Sequence, residues 1–140
     1  MLTPQPDQRL VFLSHSSRDT WVARQIALQA SACGATVFLD EAQVEIGDDF
    51  EEKILDFLNK AHELVVLFTP WALDRPYVWA ELGAAWGRGI PIVVVLHGMT
   101  STELQSRPGV PLFLKRRDMI DINELDGYFS ELSARVKRGP

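Results

Sequence analysis

Leu10-Val11-Phe12-Leu13-Ser14-His15-Ser16-Ser17 sets how the rest of the chain is read. An apolar run without polar alternation stops abruptly at a group of small and polar residues. A strand with one wet face would alternate, because successive side chains point to opposite faces. A run that is apolar on both faces instead predicts a strand buried inside a parallel sheet. Ser17 can cap a helix from about Arg18 to Cys33, with Asp19 in its first turn and Gly34 just past its end.

The same pattern recurs along the chain. Thr36 to Leu39 reads as a second strand, closed by Asp40. Asp48-Asp49-Phe50-Glu51 has the spacing of a capping box, and Phe50, Ile54, Phe57, Leu58 and Ala61 then line one face of a helix. Leu64 to Phe68 is a third strand ending at Thr69-Pro70. Pro76 opens a helix that runs to about Gly87, and Ile92 to Leu96 is a fourth strand ending at His97-Gly98. Met99 to Lys115, with Pro108, Gly109 and Pro111, reads as irregular. Met119 to Ile122 is a short fifth strand, and a last helix from about Glu124 places Leu125, Tyr128, Phe129, Leu132 and Val136 at helical spacing. Strands alternating with helices make βαβ units, whose sheet is covered on both faces. The prediction is an α/β, flavodoxin-like three-layer sandwich around a five-stranded parallel sheet of order 2-1-3-4-5. One domain is expected over 10–137, after a disordered polar lead-in at 1–9 and before a short tail at 138–140.

Charge and cysteine content exclude several classes. A net charge of −5 argues against nucleic-acid binding, which needs a basic face. The one basic run, Lys115-Arg116-Arg117, reads as solvated surface. Cys33 is the only cysteine, so neither an internal disulfide nor a cysteine zinc site can form, and a reducing, cytoplasmic setting is expected. No apolar run reaches the roughly 18 residues of a membrane span, and the lead-in lacks the layout of a signal peptide. The chain has no phosphate-binding G-x-x-x-x-G-K-[ST] loop, no G-x-G-x-x-G after the first strand and no G-x-S-x-G elbow. His15, His62 and His97 lack metal-ligand spacing, and no metal is expected. A phosphoacceptor receiver domain would want an acidic pair where Ser14-His15-Ser16 stands.

Ligands of open α/β sheets bind beyond the carboxyl ends of the strands. That edge collects Ser14, His15, Ser16, Asp40, Thr69, Trp71 and His97, although strand ends are also polar simply because the chain leaves the core there. Tyr77-Val78-Trp79-Ala80-Glu81-Leu82-Gly83-Ala84-Ala85-Trp86 is the most distinctive segment. On a helix Val78, Leu82, Ala85 and Trp86 form the expected apolar stripe, while Glu81 shares a face with Tyr77 and Ala84. A carboxylate between a ring and small residues can line a pocket for a flat ligand. It can equally be an acid in an early helical turn, favoured there by the helix dipole alone.

These pieces, in this order, resemble the TIR (Toll/interleukin-1 receptor) domain family, in its bacterial type, over about Arg9 to Val136. Val11-Phe12-Leu13-Ser14-His15-Ser16-Ser17-Arg18-Asp19 looks like the first family box. Phe38-Leu39-Asp40 followed by Gly47 looks like the second strand and the BB loop, and Tyr77 to Leu82 resembles the W-C-x-x-E-L helix motif. Tyr77 stands where the motif usually has tryptophan, and Val78 where it often has cysteine.

The resemblance implies cleavage of the nicotinamide–ribose bond of NAD+, with Glu81 as the catalytic carboxylate and NAD+ as substrate rather than cofactor. Loss of nicotinamide leaves an oxocarbenium-like sugar that a nearby anion stabilises, and a neutral leaving group needs no general acid. Ser14, His15, Ser16 and Asp40 would line the pocket, with Ile46 and Gly47 in the covering loop. Trp71 and Tyr77 would be base-stacking walls. Glu41 and Glu45 in that loop would not attract pyrophosphate, so Arg18, the amides near Ser16 or a neighbouring molecule must supply positive charge. The family also implies partners: other TIR domains in a homo-oligomer or filament, a fused or separate sensor module, and an immune, anti-phage role. Two other readings stay open. One is a non-catalytic TIR adaptor that signals by self-association, and the other is an enzyme like the nucleoside deoxyribosyltransferases.

Overall fold

Apolar runs that no periodicity could orient become strands whose two faces are both covered. The computed structural model describes residues 8–39, 56–111, 114 and 119–139. Its strands are β1 (Leu10–Ser14), β2 (Thr36–Leu39), β3 (Glu63–Phe68), β4 (Ile92–Leu96) and β5 (Met119–Asp121). They form one parallel sheet in the order β2-β1-β3-β4-β5. Every residue of β1 and β3 is buried, whereas the edge strands β2 and β5 are mostly half-buried.

The helices are α1 (Thr20–Ala32), α2 (Pro76–Arg88), α3 (Ser101–Ser106) and α4 (Leu125–Lys137), and residues 56–60 are also helical. One layer sets α1 and α4 against Val11, Leu13, Val65, Leu67 and Val95. The other sets α2 and Leu58 against Phe12, Leu64, Val66, Phe68 and Val94. Phe57 and Phe38 stack at 4.3 Å between ring centroids, joining the helical residues 56–60 to β2. Arg88 on α2 donates to the carbonyls of Leu58 and Ala61, which caps those residues where helical carbonyls run out of partners. The expected three-layer sandwich and strand order are thus present.

Local details differ from the sequence reading. Ser16, not Ser17, makes the cap after β1, its hydroxyl accepting from the Arg18 amide, and a 3-10 turn over Ser17–Asp19 precedes α1. Gly34 stands beyond α1 at φ +102°, and a Cβ there would lie 2.9 Å from Val136 Cγ1, so the site demands glycine both for conformation and for the approach of α4. The segment read as irregular contains α3, opened by a capping box between Thr100 and Glu103. Trp86 does not belong to the buried stripe: it is 52% exposed. At about 100° per residue, Glu81 lies about 60° from Val78 on the side of Ala85, and Trp86 about 80° on the other. The buried arc of α2 therefore runs from Glu81 to Leu82 and stops short of Trp86.

Arg9, read as the last residue of the lead-in, is tied into the core. Its Nε donates to Glu63 Oε1 at 2.5 Å, and the Glu63 side chain is fully buried at the amino end of the central strand. Tyr128 donates to Glu63 Oε2 at 2.5 Å, and Arg135 donates to Oε1 at 3.2 Å. Burial, then the adjacent carboxylate, pushes the Tyr128 phenol far up, so it stays a donor. Burial works against a charged Arg135, but Glu63 facing it prevails and raises its pKa. His62, beside them, accepts the Leu10 amide on Nδ1 at 2.8 Å. Burial, then Arg9 and Arg88, lowers its pKa below the ordinary 6.5, with Glu63 opposing.

Removing one partner of a buried ion pair strands the other. Glu63→Ala is expected to cost about 3–5 kcal/mol in urea unfolding, and Glu63→Gln, which keeps an acceptor for Tyr128, less. An unchanged urea midpoint in Glu63→Ala would refute this role.

The His62 shift has its own signature. As pH falls, the unfolded chain protonates His62 first, so its contribution is complete above pH 6.5 and is lost as pH drops towards the lower folded value. Thermal melts from pH 7.5 to 5 should show a decline that His62→Asn, which retains an acceptor for Leu10, reduces. Parallel declines in both proteins would exclude His62 as its source.

Candidate active site

The buried polar residues of the opposite, carboxyl edge gather where β1 ends, next to its neighbour β3. Ser14 closes β1 in register with Val66. Ser14, His15, Ser16, Asp19, Thr69 and Glu81 are all buried, against the usual tendency of such residues. What holds them is a set of side-chain bonds between three segments.

Glu81 reaches the edge because Val78, Leu82 and Ala85 fix α2 on the sheet. Glu81 is 3% exposed, and Ser14 Oγ donates to its Oε1 at 2.5 Å. That length is typical of a hydroxyl donating to a carboxylate. One helical turn earlier, Tyr77 Oη donates to the carbonyl of His15 at 3.1 Å. Positions i and i+4 of one helix thus hold consecutive residues of the β1 turn. Further along that turn, Asp19 Oδ2 accepts from Thr69 Oγ1 at 2.5 Å, and Thr69 Oγ1 accepts from the Ala72 amide at 3.2 Å.

Of the residues expected at the site, Ser14, His15, Tyr77 and Glu81 come together, and Ser16 caps the turn beside them. Glu81 lies beneath the surface rather than lining an open pocket. Arg18 is exposed, and the amides of Arg18 and Asp19 are already occupied by Ser16, so this turn offers an anion the Arg18 side chain rather than those two amides. Trp71 is 48% exposed, and among the described residues no hydrogen bond joins it or Arg18 to Glu81. Asp40, Ile46, Gly47 and the rest of the expected covering loop lie outside the described residues, as do Lys115, Arg116 and Arg117. His97 lines a groove of about 510 Å³ with Trp21, Asn123 and Asp126, on the α1–α4 face of the sheet and away from Glu81. Among the described residues no cluster of three His, Cys, Asp or Glu is placed to hold a metal, and no helix is long and apolar enough to cross a membrane.

The Asp19–Thr69 contact went unread in the sequence. The sequence pattern puts Asp19 in a helix's first turn and Thr69 at a strand end, and nothing local pairs residues so far apart. The only signals were an acid shortly after one buried strand and a hydroxyl directly after another.

A parallel sheet of this order, with a carboxylate-bearing helix clamped over the end of its first strand, defines a class that comparison identifies. A family profile described as "TIR domain" matches residues 11–135, and the chain belongs to that family. No curated protein sequence matches it significantly. Among solved structures it is similar to the TIR domain of the Toll-related receptor TRR-2 from Hydra magnipapillata, at 20% identity and a TM-score of 0.64, covering 87% of this chain and 96% of that one. It is similar to a metazoan TIR-STING receptor from C. gigas in complex with 2′,3′-cGAMP, at 17% identity and a TM-score of 0.71, over 96% of this chain but 42% of that one. It also resembles the CMP N-glycosidase BcmB of Clostridium botulinum, at 16% identity and a TM-score of 0.56, over 91% and 100% of the two chains.

Tyr77 is expected to act through its hydroxyl as an anchor rather than as a stacking wall. Tyr77→Phe keeps the ring and removes the bond to His15, so it should lose about 1 kcal/mol in urea unfolding. Stability equal to wild type would restore the wall reading.

Proposed function

We propose that this TIR domain cleaves the nicotinamide–ribose bond of NAD+, with Glu81 as the catalytic carboxylate. The observation that carries the reading is the buried Ser14–Glu81 hydrogen bond at the strand edge where α/β sheets take ligands. In the reaction the C1′–N bond breaks and its electron pair leaves with neutral nicotinamide. Glu81 stabilises the cationic sugar, and water adds to C1′ with loss of a proton, giving ADP-ribose; capture by the adenine ring instead gives the cyclic product. A carboxylate removed from bulk water acts on such a cation far more strongly than an exposed one. Ser14 holds it in one orientation, and the Arg18 side chain is the cation nearest in sequence to the turn for the pyrophosphate.

Burial of Glu81 also requires that the edge open before a ribose can touch it. This suits a resting form activated by assembly with other TIR domains, as in a cytoplasmic immune effector. A second reading draws on the likeness to the CMP N-glycosidase: the same carboxylate would act on the N-glycosidic bond of a nucleotide without a dinucleotide's second half. A non-catalytic adaptor is the third, and it leaves Glu81 with no role beyond holding Ser14.

The decisive experiment supplies NAD+ or CMP to artificially clustered protein and separates the products. Wild type should release nicotinamide, while Glu81→Gln, which keeps an acceptor for Ser14, should fold normally and lose at least about 100-fold in rate. Release of cytosine alone would favour the nucleotide reading. No release from either substrate would favour the adaptor, and equal rates in the two proteins would remove Glu81 from the chemistry.

A further inference from the structure

Building on the assignment of Glu81, we infer that Asp19 is a positioning residue for that carboxylate, acting through Thr69 and the turn that joins Ser14 to Asp19. Asp19 occupies the N-cap position of α1, where an aspartate ordinarily accepts from the first amides of its own helix. It makes no such bond. Its side chain is instead directed across the sheet edge to Thr69, at 2.5 Å, and the residue is 4% exposed. Burying a carboxylate away from the helix it could cap is costly unless the contact fixes something else.

What it fixes is the far end of the turn. Ser14 is held at the near end by strand pairing with β3 and by its bond to Glu81. Between the two ends, Asp19 N donates to Ser16 O at 2.8 Å and Tyr77 holds the carbonyl of His15. The direction of the latch is set as well. Thr69 Oγ1 receives the Ala72 amide, which leaves its own hydrogen to point at Asp19. The end of β3 therefore sets the height of the turn, and the turn sets where the Ser14 hydroxyl meets Glu81. Asp19 touches no substrate in this scheme. Its effect is on geometry, where an error of about 1 Å can cost about 100-fold in rate.

Thr69→Val keeps the shape of the side chain and removes the hydroxyl, and Thr69→Ser returns it. A crystal structure of Thr69→Val should show the turn displaced and the Ser14 Oγ–Glu81 Oε1 separation beyond hydrogen-bonding distance, with Thr69→Ser as wild type. In nicotinamide release by clustered protein, Thr69→Val and Asp19→Ala should each lower kcat about tenfold with KM held within about twofold, and Thr69→Ser should restore it. In a Ser14→Ala background the further change Thr69→Val should add little, because both act on one contact. Losses that multiply in the double variant would overturn the inference. So would a Thr69→Val structure that keeps the Ser14–Glu81 bond at its wild-type length. A wild type that releases no nicotinamide would refute the catalytic reading of Glu81 instead, and the crystal comparison alone would then decide the role of Asp19.

Discussion

Glu63 carries a charge into the amino end of the central strand, and the fold closes around the need to compensate it. Its partners come from before β1 and from α4, so the first and last parts of the domain meet at one carboxylate. Such a group does not make a protein stable by itself, because desolvating three charges offsets much of their attraction. It makes alternatives costly. A shift of β3 by one residue against β1 would send Glu63 to the other face and leave Arg9 and Arg135 without their partner. The apolar stretches Leu10–Leu13 and Leu64–Phe68 carry little register information of their own, since both of their faces are hydrophobic, and the buried charge supplies it.

The two ends of the sheet therefore carry different kinds of polar chemistry. At the amino end two guanidiniums and a phenol surround one carboxylate, and the Arg135 guanidinium also pairs with Glu131. At the carboxyl edge the described contacts of Glu81 and Asp19 are to neutral hydroxyls. A hydroxyl orients a carboxylate through one directional bond, where a guanidinium also supplies an opposite charge. Between the two ends run strands with no polar side chain between Glu63 and Thr69 in β3, so neither set perturbs the other at short range.

The fold was legible because its strands are unusually plain. Thr36–Leu39 and Ile92–Leu96 begin and end where the apolar runs do. α3 was obscured by the prolines and glycine that follow it, although Thr100 and Glu103 have capping-box spacing. The misplacement of Trp86 and the depth of Glu81 share one cause. Hydrophobicity alone draws the centre of an apolar arc towards a tryptophan, whereas the packing centre of α2 lies between Val78 and Ala85 and takes in the acid beside them. The burial of Glu63 and Asp19 leaves no local signal for a related reason. The partners that make their burial tolerable, Arg9, Tyr128, Arg135 and Thr69, are remote in sequence and leave no periodic trace. Glu81 itself was found through the family's helix motif, since spacing alone left it balanced between site and surface.

The depth of Glu81 also constrains how any chemistry there can be controlled. α2 packs on β1, β3 and β4 through three fully buried side chains, and moving it would open the core. The carboxylate is thus a fixed point, and access to it must be made by what lies over the strand ends, the β1 turn included. That turn is held by bonds to Glu81, Tyr77 and Thr69, each of modest net strength beside the apolar contacts of α2. A contact from a neighbouring molecule of comparable strength is enough to shift a turn of this kind while leaving the helix in place. Of the two described elements that meet at Glu81, the β1 turn is therefore the more easily displaced.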